Sequence, residues 1–325
     1  MISNNFRNIH GMLLLDKPTG ISSNKALQIT KKIFLAEKAG HTGSLDPLAT
    51  GMLPICFGEA TKFTKYLIKS NKKYRVIAKL GEKTSTADSY GEIKYVASTR
   101  FSSNQYRTAL DRLKGKISQV PPIFSAIKYK GLRSYQYARK GIQVPLKPRL
   151  VKIYKLHSLY RSKNIIELEI SCSSGTYIRS IINDLGNFLK CGAHVIFLRR
   201  MQVSSYSCNS AITIDQLNFF KNKYFKKSKK IFFKKLKKLL IPINSIVSSL
   251  NKIYISLKET VNIQNGQCIR LFTRYQNGLI CIMNTKKKFI GLGKIKNYIY
   301  LYPYRLINKN LYNKYNLYEQ FHDKK

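Results

Sequence analysis

Apolar positions follow two different rhythms along this chain. Residues 11–15 form a continuous apolar run closed by Asp16-Lys17-Pro18-Thr19-Gly20, which predicts a buried strand and then a turn. Ser22 or Ser23 stands where it can cap a helix whose Ala26, Leu27, Ile29 and Ile33 recur on one face. Alternating, β-branched-rich stretches predict strands over 74–80, 151–159 and 165–171, and helical spacing predicts helices over 104–113, 135–139 and 177–189. Strands interleaved with helices define an α+β (mixed α/β) domain. Beyond residue 250 the rhythm changes. Short apolar runs at 253–257, 268–272, 279–283, 289–292 and 298–302 recur about every ten residues, the spacing of a small β-barrel. The expected organisation is a first domain over 1–245, a small barrel over 246–310 and a disordered polar tail over 311–325, with no internal repeat.

Between the two rhythms, residues 221–238 carry ten lysines among Phe225, Ile231, Phe232, Phe233 and Leu236. Two readings stand. The stretch is a basic amphipathic helix facing RNA or a membrane surface, or a solvated helix whose lysines reflect AT-rich codons. The whole chain raises the same question, since Lys+Arg number 59 against 15 Asp+Glu, a net charge of +44. An apolar fraction of 44% excludes a disordered polyelectrolyte. No apolar run approaches the roughly 18 residues of a spanning helix, so the expected partner of this charge is a nucleic acid and not a membrane.

Six cysteines lie far apart without a CxxC pair, which argues against a zinc site or a disulfide framework and for small buried apolar residues. No metal site is expected. The apolar run Met12-Leu13-Leu14-Leu15 is too short for a signal-peptide core, so the expected location is cytoplasmic. His10, His157 and His194 are read as structural.

Candidate chemistry centres on Gly40-His41-Thr42-Gly43-Ser44-Leu45-Asp46-Pro47-Leu48-Ala49-Thr50-Gly51. Asp-Pro is a helix-start signal, with Asp46 as cap, Pro47 as first helical residue and Gly51 ending a short turn. Against a pure cap stand the glycines at 40, 43 and 51, which allow close backbone approach to a ligand, the neighbouring His41, and the scarcity of carboxylates elsewhere. A carboxylate in a basic field stays ionised and is able to act as a nucleophile. Cap and nucleophile are compatible.

The segment resembles the catalytic motif of the bacterial TruB family of tRNA pseudouridine synthases. Further motifs follow in that family's order: Asp16-Lys17-Pro18-Thr19-Gly20; Lys73-Tyr74; Thr84-Ser85-Thr86-Ala87-Asp88-Ser89-Tyr90-Gly91; Val120-Pro121-Pro122-Ile123-Phe124-Ser125-Ala126-Ile127-Lys128; Ser174-Gly175-Thr176-Tyr177-Ile178-Arg179-Ser180; and Gly192-Ala193-His194 through Leu198-Arg199-Arg200. Phe124 stands where the family has Tyr, Gln136 where Glu is frequent, and Ser174 where Lys is frequent.

The resemblance implies a pseudouridine synthase catalytic domain with a basic, RNA-gripping thumb insertion over 121–149, then a PUA-like C-terminal RNA-binding domain. It implies Asp46 as catalytic nucleophile, attacking uracil C6 or ribose C1′. Arg179 would pair with Asp46 and lower its pKa. Tyr74 would stack on the base and accept a proton, Tyr177 and Leu198 would line the pocket, and His41 would contact substrate. The implied substrate is the T-loop uridine of tRNA, position 55 in tRNA numbering, flipped out of its stack. The isomerisation has no net redox change, so no cofactor is expected, and no Walker loop, HExxH or GxGxxG after a strand is present. A monomer is expected. The alternatives are a synthase acting on another uridine, a guide-RNA-dependent relative, a tRNA-binding or folding protein whose catalysis is secondary or lost, and a ribosome-associated basic protein.

Overall fold

The protein's structure, a computed structural model, describes residues 6–308; the tail expected to be disordered, 311–325, lies outside them. Strand Gly11–Lys17 runs two residues further than the apolar run predicts. Asp16 and Lys17 continue the antiparallel ladder opposite Met52 and Gly51 of strand Thr50–Phe57. These strands lie in a ten-stranded sheet, eight of whose strands run in the order Ile212–Thr213, Gly11–Lys17, Thr50–Phe57, Ala193–Val203, Lys72–Leu80, Ile165–Cys172, Arg149–Arg161, Gly115–Gln119, with Ala39–His41 also pairing Thr50–Phe57 and Tyr206–Ser207 also pairing Ala193–Val203. Both faces are covered, which is why the first strand is apolar at successive positions and does not alternate. Leu13 and Leu15 face a cluster shared with the helices Ser23–Phe34, Ser103–Arg112 and Ile178–Phe188, whereas Met12 and Leu14 face Phe63, Leu67 and Val247.

The predicted helices form close to their expected limits because their caps are local. Ser22 accepts from the Lys25 amide at 3.1 Å, and Ser102 with Gln105 makes a reciprocal capping box. The helix expected from Tyr177 starts one residue later, Tyr177 itself being extended.

The lysine-rich stretch is not one helix. Helix Ile214–Phe220 passes through a π-helical turn, Lys221–Phe225, and a new helix, Lys229–Lys238, starts at the Ser228 cap. Phe232 and Leu236 of that helix are fully buried in the main core.

The C-terminal sheet has five strands in the order Lys252–Ile255, Gly278–Asn284, Phe289–Lys296, Tyr300–Leu306, Ile269–Arg270, around its own core of Ile253, Ile263, Ile282 and Leu301. This PUA-like curled sheet includes one element that the barrel rhythm did not predict. The run at 253–257 breaks at Ser256, which with Glu259 forms a capping box and starts helix Leu257–Gln264. Cys268 also departs from expectation, being exposed while the other five cysteines are buried.

Candidate active site

The segment between His41 and Thr50 does not form the helix that Asp46-Pro47 predicts. Its backbone makes a single turn, the Ala49 amide donating to the Asp46 carbonyl at 3.0 Å, and the carboxylate caps nothing. The loop is instead held by donors from three other segments. Lys17, fully buried, donates through Nζ to the carbonyls of Pro18 at 2.8 Å, Ile21 at 2.7 Å and Pro47 at 3.4 Å. Ser23 Oγ donates to the Leu45 carbonyl and accepts from the Leu45 amide, while Thr19 Oγ1 donates to the Leu48 carbonyl. From the far side of the strand, Arg200 donates to the carbonyls of Met52 at 2.7 Å, Gly43 at 3.2 Å and Ser44 at 3.4 Å. Gly51 allows that approach. Its φ of +101° is left-handed, and a Cβ there would run into the Arg200 backbone.

So positioned, the Asp46 carboxylate meets Arg179. Arg179 Nη2 donates to Asp46 Oδ1 at 3.0 Å, and Nε lies 2.8 Å from Oδ2. The guanidinium is buried and has further bonds. Nη2 also donates to the Phe124 carbonyl at 2.8 Å, Nη1 donates to the Thr86 carbonyl at 3.0 Å, and Asp88 Oδ2 lies 3.7 Å from Nη1. One planar fork thereby joins the Asp46 loop, the 84–91 turn and the root of the 121–149 insertion.

Arg179 owes its place to the helix that carries it. The buried Gln119 side chain accepts from the Tyr177 amide at 2.8 Å and donates to the Tyr177 carbonyl at 3.1 Å, and Ser180 Oγ donates to the Val120 carbonyl at 2.9 Å. The first turn of helix Ile178–Phe188 is thus locked to the strand that leads into the insertion.

Burial pushes the Asp46 carboxyl above the ordinary carboxylate range. Arg179 is the largest opposing influence, Asp88 adds to the rise and Lys17 reduces it. The expectation that Arg179 lowers this pKa describes its own pull; the sum runs the other way, because desolvation outweighs the pair. Burial also raises Tyr74, against a downward pull from Arg200, and raises Tyr177; Asp46 contributes upward to both. Neither phenol is shifted toward its charged form. Burial lowers His41, and Arg200 and Arg133 add to the effect, so its imidazole is neutral; His41 Nδ1 is buried with no hydrogen-bond partner among the described residues.

The residues expected at the site therefore fall into two groups. Asp46 and Arg179 are in direct contact. Tyr74, opposite Arg200 in the sheet, and Tyr177, beside Arg179 in sequence, stand close enough to Asp46 to sense its charge. Leu198, opposite Val76, packs in the core cluster with Tyr74, Leu45 and Leu48, and His41 ends the short strand Ala39–His41. His10 and His194 make backbone contacts, to the Glu59 amide and the Glu82 carbonyl, while His157 is exposed.

Lys17, Asp88 and Arg200 stood in the quoted motifs without a role, and Gln119 stood in none of them. The available signal was a charged residue at an inward position of an apolar strand, as with Lys17 and Arg200. Asp88 is buried, and its carboxylate accepts from Thr86 Oγ1 at 2.5 Å and from the Tyr90 amide at 3.1 Å, a local turn built by the T-x-T-x-D spacing. Among the described residues no group of three or more His, Cys, Asp or Glu is arranged to hold a metal ion, and no helix is long and apolar enough to cross a membrane.

Comparison with known proteins defines the class first. Residues 31–178 match the family model described as TruB family pseudouridylate synthase (N terminal domain). Residues 179–248 match the tRNA pseudouridylate synthase B C-terminal domain, and residues 252–307 match Pseudouridine synthase II TruB, C-terminal. This is a pseudouridine synthase, an isomerase. The chain belongs to the TruB family. It is 49% identical over 306 residues to a protein named tRNA pseudouridine synthase B from Buchnera aphidicola subsp. Acyrthosiphon pisum, covering 94% of this chain and 98% of that one. A protein of the same name from Shigella boydii is 46% identical over 302 residues, covering 93% and 96%. Among solved structures, a Cbf5-Nop10-Gar1 complex aligns with a TM-score of 0.68 at 24% identity, over 93% of this chain and 87% of that one. An H/ACA RNP bound to a substrate RNA containing 2'-deoxyuridine aligns with a TM-score of 0.67 at 23% identity, over 92% and 85%. These two likenesses are of fold.

Proposed function

We propose that the chain isomerises the T-loop uridine of tRNA, position 55, to pseudouridine, with Asp46 as the nucleophile. The reaction breaks the N1–C1′ bond, rotates the uracil and forms a C5–C1′ bond, N1 gaining a proton and C5 losing one. It consumes no cofactor. The reading rests on one observation above the rest: a carboxylate on a strapped loop, paired side-on with a buried arginine that also holds the 84–91 turn and the insertion. That arginine fixes the carboxylate rotamer before substrate arrives, which is what a positioned nucleophile requires. Tyr74 stacks on the flipped base, Tyr177 and Leu198 bound the pocket, and neutral His41 contacts the RNA.

Substrate choice is assigned to the insertion. Over 121–149 it carries exposed Lys128, Lys130, Arg133, Lys140, Lys147 and Arg149 around a small hairpin, Lys128–Tyr129 with Leu132–Arg133. Its root is anchored by Ser134 Oγ on the Ile123 carbonyl and by Arg179 on the Phe124 carbonyl. A basic, firmly rooted arm beside the pocket is suited to gripping a folded RNA loop. Unstacking the uridine costs a few kcal/mol, offset by stacking worth about 1–3 kcal/mol per base and by phosphate contacts. The chain acts as a cytoplasmic monomer, with the catalytic unit over 1–245 and the RNA-binding PUA-like unit over 246–310.

Carbodiimide-adduct primer extension on unmodified tRNA tests this. A single new stop at the T-loop uridine is expected, absent when that uridine is replaced by cytidine. A stop at another uridine would overturn the target. No stop anywhere, with tRNA bound, would favour a tRNA-binding protein without catalysis.

A further inference from the structure

The lysine-rich stretch is not used by the site described above, and its geometry bears on the membrane option its sequence left open. Helix Lys229–Lys238 turns Phe232 and Leu236 into the main core, and Phe233 lies under the Arg7 guanidinium, 3.7 Å from the ring centroid. Ile231 is then the only large apolar side chain this helix leaves exposed. A helix that lies on a membrane needs an apolar face free to enter the acyl boundary, and here that face is spent on the protein's own core.

What remains outside is charge of one sign. There is no carboxylate between Asp215 and Glu259. Lys229, Lys230, Lys234 and Lys235 are exposed and belong to no ion pair among the described residues. Five lysines elsewhere, Lys62, Lys73, Lys79, Lys94 and Lys114, each pair with a carboxylate. Some of these ammonium groups are also held in place, Lys235 Nζ lying 5.2 Å from the Tyr224 ring centroid and Lys229 Nζ 5.6 Å from that of Phe225.

The location gives the patch a reach. Ile241, just past the helix, exchanges backbone hydrogen bonds with Met12 at the start of strand Gly11–Lys17. Lys17, at the other end of that strand, holds the Pro47 carbonyl next to Asp46. At about 3.3 Å per residue, the five residues from Met12 to Lys17 put Ile241, just past the C-terminal end of the helix, roughly 17 Å along the strand from Lys17, a span that a short run of RNA duplex covers.

We propose that the lysine-rich surface of helix Lys229–Lys238 is a second RNA-binding surface, gripping the phosphate backbone of the tRNA body outside the T arm held at the catalytic cleft. The proposal rests on the reading of tRNA as substrate. Its test uses the full chain carrying K229Q/K230Q/K234Q/K235Q, with full-length unmodified tRNA and an isolated T-arm hairpin as ligands. A control variant, K116Q/K155Q/K163Q/K190Q, removes the same charge from exposed sites of the catalytic domain outside 121–149 and 221–238. The patch variant should bind full-length tRNA at least about tenfold more weakly at 0.1 M salt, with a log Kd against log salt slope shallower by about 2. Hairpin affinity and the rate on the hairpin should stay within about twofold, and the control should lose far less tRNA affinity.

Unchanged tRNA affinity, equal losses on tRNA and hairpin, or equal losses in patch and control variants would each overturn the proposal. So would patch-dependent binding to phosphatidylserine vesicles with tRNA affinity intact. Absence of pseudouridine on either RNA from the wild-type chain would instead overturn the proposed reaction, while the Kd comparison would still decide the patch.

Discussion

Arg179→Met is the substitution whose effects follow most directly from the geometry. It removes the donor to Asp46, the donors to the Thr86 and Phe124 carbonyls, and the cation nearest Asp88. Breaking a buried ion pair from one side costs about 3–5 kcal/mol. Arg179 is 4% exposed but the Asp46 side chain 34%, so water partly replaces the lost partner and the lower end, about 3 kcal/mol, applies. A fold of ordinary stability survives that loss.

The same loss has a second, independent readout. Burial already holds Asp46 above its ordinary pKa with Arg179 as the main restraint. Removing the restraint raises it further. An ionised nucleophile is lost as pH falls through its pKa, so the acid limb of the single-turnover rate should move upward, with activity partly recovered toward pH 9. Urea denaturation and rates from pH 5 to 9 measure the two effects together. A destabilised variant whose acid limb stays in place or moves down would refute the claim that Arg179 governs the charge of Asp46.

Other perturbations probe the frame around this pair. Burial depresses Lys17 to about 8; the folded state then sheds its proton before the unfolded state does, and stability rises with pH between about 8 and 10.5. The urea-determined stability of wild type relative to Lys17→Met should therefore rise by up to about 3 kcal/mol from pH 7.5 to 10.5, and a flat or falling difference would contradict a buried charged lysine. Gln119→Leu strips both bonds from the Tyr177 backbone; it should cost about 2 kcal/mol in urea denaturation and raise KM for tRNA more than it raises KM for a T-arm hairpin. Gly51→Ala forces a Cβ onto the Arg200 backbone at a left-handed φ. About 3 kcal/mol of destabilisation is expected, and a shift of Tm within error would contradict the close approach.

Local signals carried most of the fold. The strand at 11–15 and the helix after Ser22 were readable because their apolar period and cap lie within a few residues of each other. Helix Leu257–Gln264 was also locally encoded, by Ser256 and Glu259, but the run ending at 257 hid it among strands. The site was legible in a different way. Asp46 and Arg179 stood out through ordered motifs, whereas the physical reading of Asp-Pro alone led to a helix that does not form. That helix loses because Lys17, Ser23 and Arg200 together hold the loop's carbonyls in another shape. Those holders converge from positions up to 157 residues away in sequence, and no local period reports such a meeting. The upward shift of Asp46 was missed for a related reason, since burial of the pair is a property of the assembled fold.

Tritium release from tRNA labelled with [5-3H]uridine tests the central claim most directly, because forming the C5–C1′ bond expels the C5 hydrogen. Wild-type chain should release one tritium per tRNA, from the T-loop uridine, while Asp46→Asn releases none and binds tRNA within a few-fold of wild type. Release by Asp46→Asn at the wild-type rate would contradict Asp46 as the nucleophile.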